Sequence, residues 1–148
     1  MDIRLAPKEE VWQLRHEVMW PDRELDYVKL KDDDKAIHYG LYEEDWLVSV
    51  VSLFIDGREA QFRKFATAAA EQGKGYGTLL LNYMLGEAER SGVHRVICNA
   101  RSHKAAFYQK FGLIVTDRTF TKGGKEYIVM ERFFGSRIER AGEERNES

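Results

Sequence analysis

The run Gln61-Phe62-Arg63-Lys64-Phe65-Ala66-Thr67-Ala68-Ala69-Ala70-Glu71-Gln72-Gly73-Lys74-Gly75-Tyr76-Gly77-Thr78-Leu79-Leu80-Leu81 decides how the rest of the chain is read. It opens as an alternating, strand-like segment and passes through glycines at every second position, 73, 75 and 77. It then continues into Tyr76, Leu80, Tyr83 and Met84, a spacing that fits one face of a helix. The pattern predicts a strand, a tight loop and a helix N-terminus. Glycines at such a junction let the backbone turn without a Cβ and let a ligand approach the main chain. The first helical N–H groups have no internal acceptor and attract phosphate. The alternative is a glycine-rich turn with no ligand, and the loop by itself does not choose between them.

The spacing does discriminate among phosphate loops. No Gly-Lys-Ser or Gly-Lys-Thr occurs, so the P-loop pattern fails. Counting G-x-G-x-x-G from Gly73 or Gly75 puts Thr78 or Leu80 at the last glycine, so the dinucleotide fingerprint fails as well. Gln72, Gly75 and Gly77 do satisfy Q-x-x-G-x-G.

Working outward, the segment before the loop reads as a meander. His38 to Tyr42 and Trp46 to Ile55 are predicted antiparallel strands around the acidic turn Glu43-Glu44-Asp45. Apolar side chains fall on both faces of the second, which calls for cover on both sides. Asp56-Gly57 is a turn signal, and Arg58-Glu59 opens the strand that reaches Thr67. On that strand Gln61, Arg63, Phe65 and Thr67 share one face, with Phe62, Lys64 and Ala66 on the other. Upstream, Asp2 to Ala6 is a short strand, and Pro7 suits the start of a helix with Val11, Leu14 and Val18 on its apolar face. The charge-rich stretch from Asp22 to Lys35, with Asp32-Asp33-Asp34, reads as a solvated loop on the substrate side.

Beyond the loop, the helix runs to about Ser91 with Gly92 as its C′ residue, and Val93 to Asn99 is a buried strand. A strand, a helix of that length and another strand make a parallel crossover, with the glycine loop at the carboxyl edge where ligands bind. Ser102 to Phe111 forms a short helix, and Leu113 to Thr121 pairs with Glu126 to Phe133 as a terminal hairpin. Gly135 to Ser148 is charged and nearly devoid of apolar residues, a tail by composition.

Length and composition bound the class. A chain of 148 residues, 43% hydrophobic and 32% charged, suits one soluble domain, placed at 1–134 with the tail at 135–148. A net charge of -2 gives no electrostatic footprint for nucleic acid. Cys98 is the one cysteine, so no intrachain disulfide forms, and no Cys/His spacing suggests a metal. With no apolar leader after Met1 and no membrane-length apolar run, the expectation is a cytoplasmic chain without membrane partners.

A second motif lies downstream at Phe107-Tyr108-Gln109-Lys110-Phe111-Gly112-Leu113, or F-Y-x-K-x-G-L. Together, the alternating strand, the Q-x-x-G-x-G loop and this helix motif resemble the GNAT superfamily of acetyl-CoA-dependent N-acetyltransferases over residues 38 to 134. The resemblance implies an α/β fold with a mixed, mostly antiparallel central sheet, a parallel crossover at the acetyl-CoA site, and helices on both faces. It departs from the family at Ala69, where a proline is common, and at Arg101, where an asparagine often stands seven residues before the tyrosine.

The resemblance implies a division of labour. The main chain of Phe65, Ala66 and Thr67 would pair with pantetheine, and Gln72, Gly73, Lys74, Gly75, Tyr76, Gly77 and Thr78 would surround the pyrophosphate. Asn99 is a further cofactor-side candidate. Tyr108 matches the family's general acid toward the thiolate, and Glu59 opens the strand from which family bases often come. His38, with a suitable ordinary pKa, is a base or substrate-binding candidate, with water-mediated proton loss as the alternative. Arg63 offers a planar donor pair for an acidic acceptor. Acetyl-CoA is then the cosubstrate, no metal is called for, and the acceptor is a small-molecule primary amine. A protein lysine or N-terminus as acceptor, and a noncatalytic acyl-CoA sensor, are the competing readings; a homodimer is left open.

Overall fold

Residues 1–135 are described by a computed structural model. The expected tail therefore lies, apart from Gly135, outside the described residues. Seven strands alternate with helices as β1 (Asp2–Leu5), α1 (Lys8–Met19), β2 (Ile37–Glu43), β3 (Trp46–Asp56), β4 (Glu59–Thr67), α2 (Tyr76–Arg90), β5 (Arg95–Arg101), α3 (Ala105–Gln109), β6 (Ile114–Lys122) and β7 (Lys125–Phe133). Short 3-10 turns occupy Leu25–Val28, Asp33–Lys35, Ala69–Glu71 and Ser102–Lys104. The sheet order is β1-β2-β3-β4-β5-β7-β6. Pairing is antiparallel between β1 and β2, β2 and β3, β5 and β7, and β6 and β7. It is parallel between β4 and β5, where Glu59, Ala60 and Gln61 face Arg95, Val96 and Ile97. This mixed sheet with one parallel crossover is the architecture the sequence implied.

The chain packs as two compact units. The first comprises residues 1–54 and 62–87. Its core includes Ala6, Val11, Leu14, Tyr42, Val50 and Ala66, with Val18, Met19, Leu47 and Ala68 packed around them. The apolar face read for α1 is thus its buried face. Within β3, every side chain from Val48 to Leu53 is buried, Ser49 and Ser52 included, as expected of a strand covered on both sides. Leu80, Leu81, Met84 and Leu85 bury one side of α2. The second unit comprises, among the described residues, 55–61 and 88–135. Its core includes Val96, Cys98, Ala100, Leu113, Val129 and Met130.

Two sequence readings need correction here. The stretch from Asp22 to Lys35 is not a uniformly solvated loop, because Val28 and Asp33 are buried at 4% and 3% exposure. The helix expected over Ser102 to Phe111 is a 3-10 turn followed by the five-residue α3. Gly112, at φ +83°, stops it in the left-handed region that suits glycine.

Candidate active site

The glycine loop follows the carboxyl end of β4. There Ala68 N–H donates to Val48 O at 2.8 Å, and the Ala69–Glu71 turn leads into the loop. The Gln72 side chain folds back, its Nε2 donating to Thr67 O at 2.9 Å. The Thr67 hydroxyl lies 2.8 Å from Ser49 Oγ, fixing the strand end from the other side. The three glycines serve two different purposes. Gly73 and Gly75 have φ of +82° and +85°, and a Cβ at either would meet nothing within 4 Å, so the demand is conformational. A Cβ on Gly77 would lie 2.5 Å from Phe65 Cζ, so the demand there is for space. The helix opens with Leu79 N–H donating to Gly75 O, and the N–H groups of Tyr76, Gly77 and Thr78 belong to its first turn, which has no intrahelical acceptors. Lys74 is exposed and paired with Glu71 at 2.9 Å, so its charge is partly answered within the loop.

Upstream in β4, Lys64 has φ +58°, a left-handed conformation in mid-strand that nothing in the sequence announces. Such residues disturb the strand's regular pleat and occur at bulges. Phe65, Ala66 and Thr67, the expected pantetheine-pairing residues, follow it directly.

In the second unit, Tyr108 lies half-buried on α3, which packs on β5. The Phe107 ring meets it edge-on, with centroids 5.2 Å apart. Burial pushes the Tyr108 phenol up, and the neighbouring Cys98 adds to the shift, so the hydroxyl keeps its proton throughout the neutral range. Cys98 is itself buried, its thiol pushed up to about 12 by desolvation, which makes it an inert small core residue. Asn99 is exposed on the face of β5 opposite Cys98.

The remaining candidates fall elsewhere. His38 is buried, with Nδ1 at 2.7 Å from Ser52 Oγ and Nε2 at 3.0 Å from Asp33 O. A carbonyl only accepts, so Nε2 carries the proton and Nδ1 accepts from the serine hydroxyl. Desolvation lowers the pKa of this histidine and holds it neutral. Glu59 opens β4 at the end remote from the loop, and its carboxylate pairs with Arg95 Nη1 at 3.2 Å. This placement sets Glu59 beside Arg95 on the parallel strand pair. Arg63 is half-buried with its guanidinium carbon 5.6 Å from the centre of the Phe54 ring, a cation–π contact.

A sequence model described as the acetyltransferase (GNAT) domain matches residues 7–133. The chain belongs to the GNAT acetyltransferase family. It is 25% identical over 121 residues to the Bacillus subtilis protein named uncharacterized N-acetyltransferase YitI, covering 76% of this chain and 81% of that one. Among solved structures, Escherichia coli ElaA superposes with a TM-score of 0.76 at 20% identity, covering 88% of this chain and 98% of that chain. An aminoglycoside 6'-N-acetyltransferase complexed with coenzyme A superposes at 0.74 with 16% identity, covering 90% and 97%. The family read from Q-x-x-G-x-G and F-Y-x-K-x-G-L is thereby borne out, and with it an acetyltransferase enzyme.

Within this GNAT chain, sequence reasoning missed a buried polar cluster. Arg15 is fully buried and donates from Nη1 to Asp33 Oδ2 (2.8 Å) and Val28 O (3.0 Å), and from Nη2 to Asp33 Oδ1 (3.0 Å) and Ser52 Oγ (2.9 Å). Asp33 also accepts from Trp12 Nε1 and Leu30 N–H. Burial alone would raise the Asp33 pKa, but the hydrogen bonds from Arg15, Trp12 and Leu30 outweigh it and hold the carboxyl below the ordinary range. One signal was available: Arg15 falls four residues after Val11 on the apolar face of α1, a position where a charge needs a buried partner.

Proposed function

We propose that this chain moves an acetyl group from acetyl-CoA to the primary amine of a small molecule, with residues 1–134 serving as one catalytic domain. The observation that carries this reading is the glycine loop. Its two left-handed glycines, its Phe65-abutting Gly77 and the start of α2 bring main-chain donors together in the way a pyrophosphate requires. In this reading the backbone of Phe65, Ala66 and Thr67 holds pantetheine, and Gln72 to Thr78 hold the pyrophosphate, with Asn99 a further contact. Acetyl-CoA supplies the activated thioester and a thiol leaving group.

The chain's own residues then do three things. Main-chain donors near the left-handed Lys64 orient the reacting carbonyl. The Tyr108 hydroxyl, kept protonated by burial, donates to the sulfur as negative charge develops there. The amine loses its proton through water, since His38 and Glu59 are both committed elsewhere. Arg63, held by a ring face instead of a carboxylate, keeps donors for an acidic group on the acceptor. Support for an amine acceptor comes from the structurally similar aminoglycoside 6'-N-acetyltransferase, solved with coenzyme A.

The test combines binding with turnover. Millimolar acetyl-CoA should raise the melting temperature, and a panel of amines should release free thiol in its presence. Tyr108→Phe should lower kcat about 10²–10⁴-fold while leaving the acetyl-CoA shift intact. An unmoved melting temperature defeats the reading, and unchanged turnover in Tyr108→Phe removes the tyrosine from the mechanism.

A further inference from the structure

Arg101 closes β5, just before the turn that leads to α3. It is half-buried, and its Nε is buried without a hydrogen-bond partner among the described residues. Arg15 also has an orphan Nε, but its other donors all reach acceptors. Two other arginines of its unit, Arg95 and Arg132, are answered as well. Arg95 pairs with Glu131 at 2.7 Å and Glu59 at 3.2 Å, and Arg132 Nη1 donates to Phe111 O at 2.9 Å. For Arg101 the described residues supply no carboxylate or carbonyl. What they supply is the ring of Tyr127, its partner across the strand pair, 6.0 Å from the guanidinium carbon. That ring stacks on Phe120, with centroids 5.1 Å apart and planes 8° from parallel. An aromatic face attracts a cation but offers no acceptor to its N–H fork.

Strand alternation puts Asn99 on the same face of β5 as Arg101, exposed, while Cys98 and Ala100 bury the other face. The carboxyl end of a strand entered by a parallel crossover is where open α/β sheets place ligands. A permanently charged, half-buried fork with an aromatic backing and an adjacent amide matches one ligand chemistry, a planar or tetrahedral oxyanion taken in a bidentate manner.

We infer that Arg101, with Asn99 beside it, receives an anionic group of a bound substrate, either a phosphate of acetyl-CoA or a carboxylate of the acceptor amine. The inference rests on the acetyl-transfer reading and names a specificity determinant within it. Arg101→Gln and Arg101→Lys, with exposed Arg118→Gln as the control, separate the two sources. If the group is the ribose phosphate, Arg101→Gln weakens coenzyme A binding about 10- to 100-fold and leaves 3'-dephospho-coenzyme A unaffected. If it is a carboxylate, the same variant raises KM for carboxylate-bearing amines by that factor over their carboxylate-free counterparts, with coenzyme A affinity unchanged. Arg101→Lys, which keeps the charge and loses the fork, falls between wild type and Arg101→Gln.

A third measurement does not depend on turnover. The Nε–H resonance of Arg101, assigned by its loss in Arg101→Lys, should move saturably when the wild-type chain is titrated with inorganic phosphate. Failure of wild type to bind acetyl-CoA would defeat the acetyl-transfer reading, and the titration would still report on the anion site. The inference is overturned if the resonance stays fixed and Arg101→Gln matches Arg118→Gln in both binding and kinetics.

Discussion

The Arg15–Asp33 cluster and the glycine loop lie in the same compact unit and dispose of polar groups in opposite ways. In the cluster, donors and acceptors close on each other, with Arg15 Nε the exception. Arg15 reaches Asp33, Val28 O and Ser52, the serine hydroxyl passes to His38 Nδ1, and His38 Nε2 returns to Asp33 O. In the loop, side chains tie the flanks, through Gln72 to Thr67 O and Lys74 to Glu71, and the first-turn N–H groups of α2 have no acceptor within the helix. A network satisfied within the protein serves stability and position. Main-chain donors at the start of a helix favour an anion.

The largest effect should come from breaking the closed cluster. Asp33→Asn leaves the buried Arg15 charge unanswered and should cost about 3–5 kcal/mol in urea unfolding. Pairing it with Arg15→Met should recover part of that loss, because the two changes act on one interaction. If Asp33→Asn cost no more than an exposed substitution, the cluster would not be a closed unit.

Next in size is Gly77→Val. The Phe65 ring must move to admit the new side chain, at a cost of about 1–3 kcal/mol. The stabilisation by acetyl-CoA, about 2.7 kcal/mol at 100 times its dissociation constant, should vanish. Gly75→Ala tests the other demand. With open space around its Cβ but φ at +85°, it should cost about 1 kcal/mol from backbone strain and weaken the ligand shift without abolishing it. Equal outcomes for the two variants would erase the distinction between space and conformation.

Acidification should loosen the cluster before the loop. The His38 pKa is lowered in the fold, so its contribution is complete above about pH 6.5 and is lost as pH falls from there through the folded value. For one group this is at most about 1.4 kcal/mol per pH unit. Asp33 is lowered too, so its contribution is lost only below about pH 3.8, on the way down through its folded value. His38→Gln should flatten the upper step alone, as read from denaturation midpoints between pH 7 and 5. The smallest effect is expected from Gln72→Ala, which removes the hydrogen bond to Thr67 O. About 1 kcal/mol of loop ordering should appear as a several-fold weaker acetyl-CoA affinity, with unfolding in urea nearly unchanged.

Much of the fold could be read locally. The strand, loop and helix from Glu59 to Arg90 follow from alternation, glycine spacing and 3.6-residue periodicity, all properties of neighbouring residues. The turn at Asp56-Gly57 was equally plain, and the structure gives Gly57 φ +65° there. Asp32, Asp33 and Asp34 show where local reading ends. They are the same residue type side by side, yet Asp33 is buried against Arg15 while Asp34 pairs at the surface with Lys8. The partner that selects Asp33 lies in α1, before the intervening turns, and no local propensity encodes that meeting. His38 followed the same rule. Its residue type suggested chemistry, and the fold buries it beside Ser52 and Asp33.

Residue type and spacing therefore determined the elements, their order, the loop and the family, because these depend on contacts within a few residues. The tertiary structure alone decided which charges are answered inside the protein, as with Arg15 and Glu59, and which await a partner, as with Arg101. Burial and pairing are set by residues distant in the chain, and the low polarity around them determines what each charge can do.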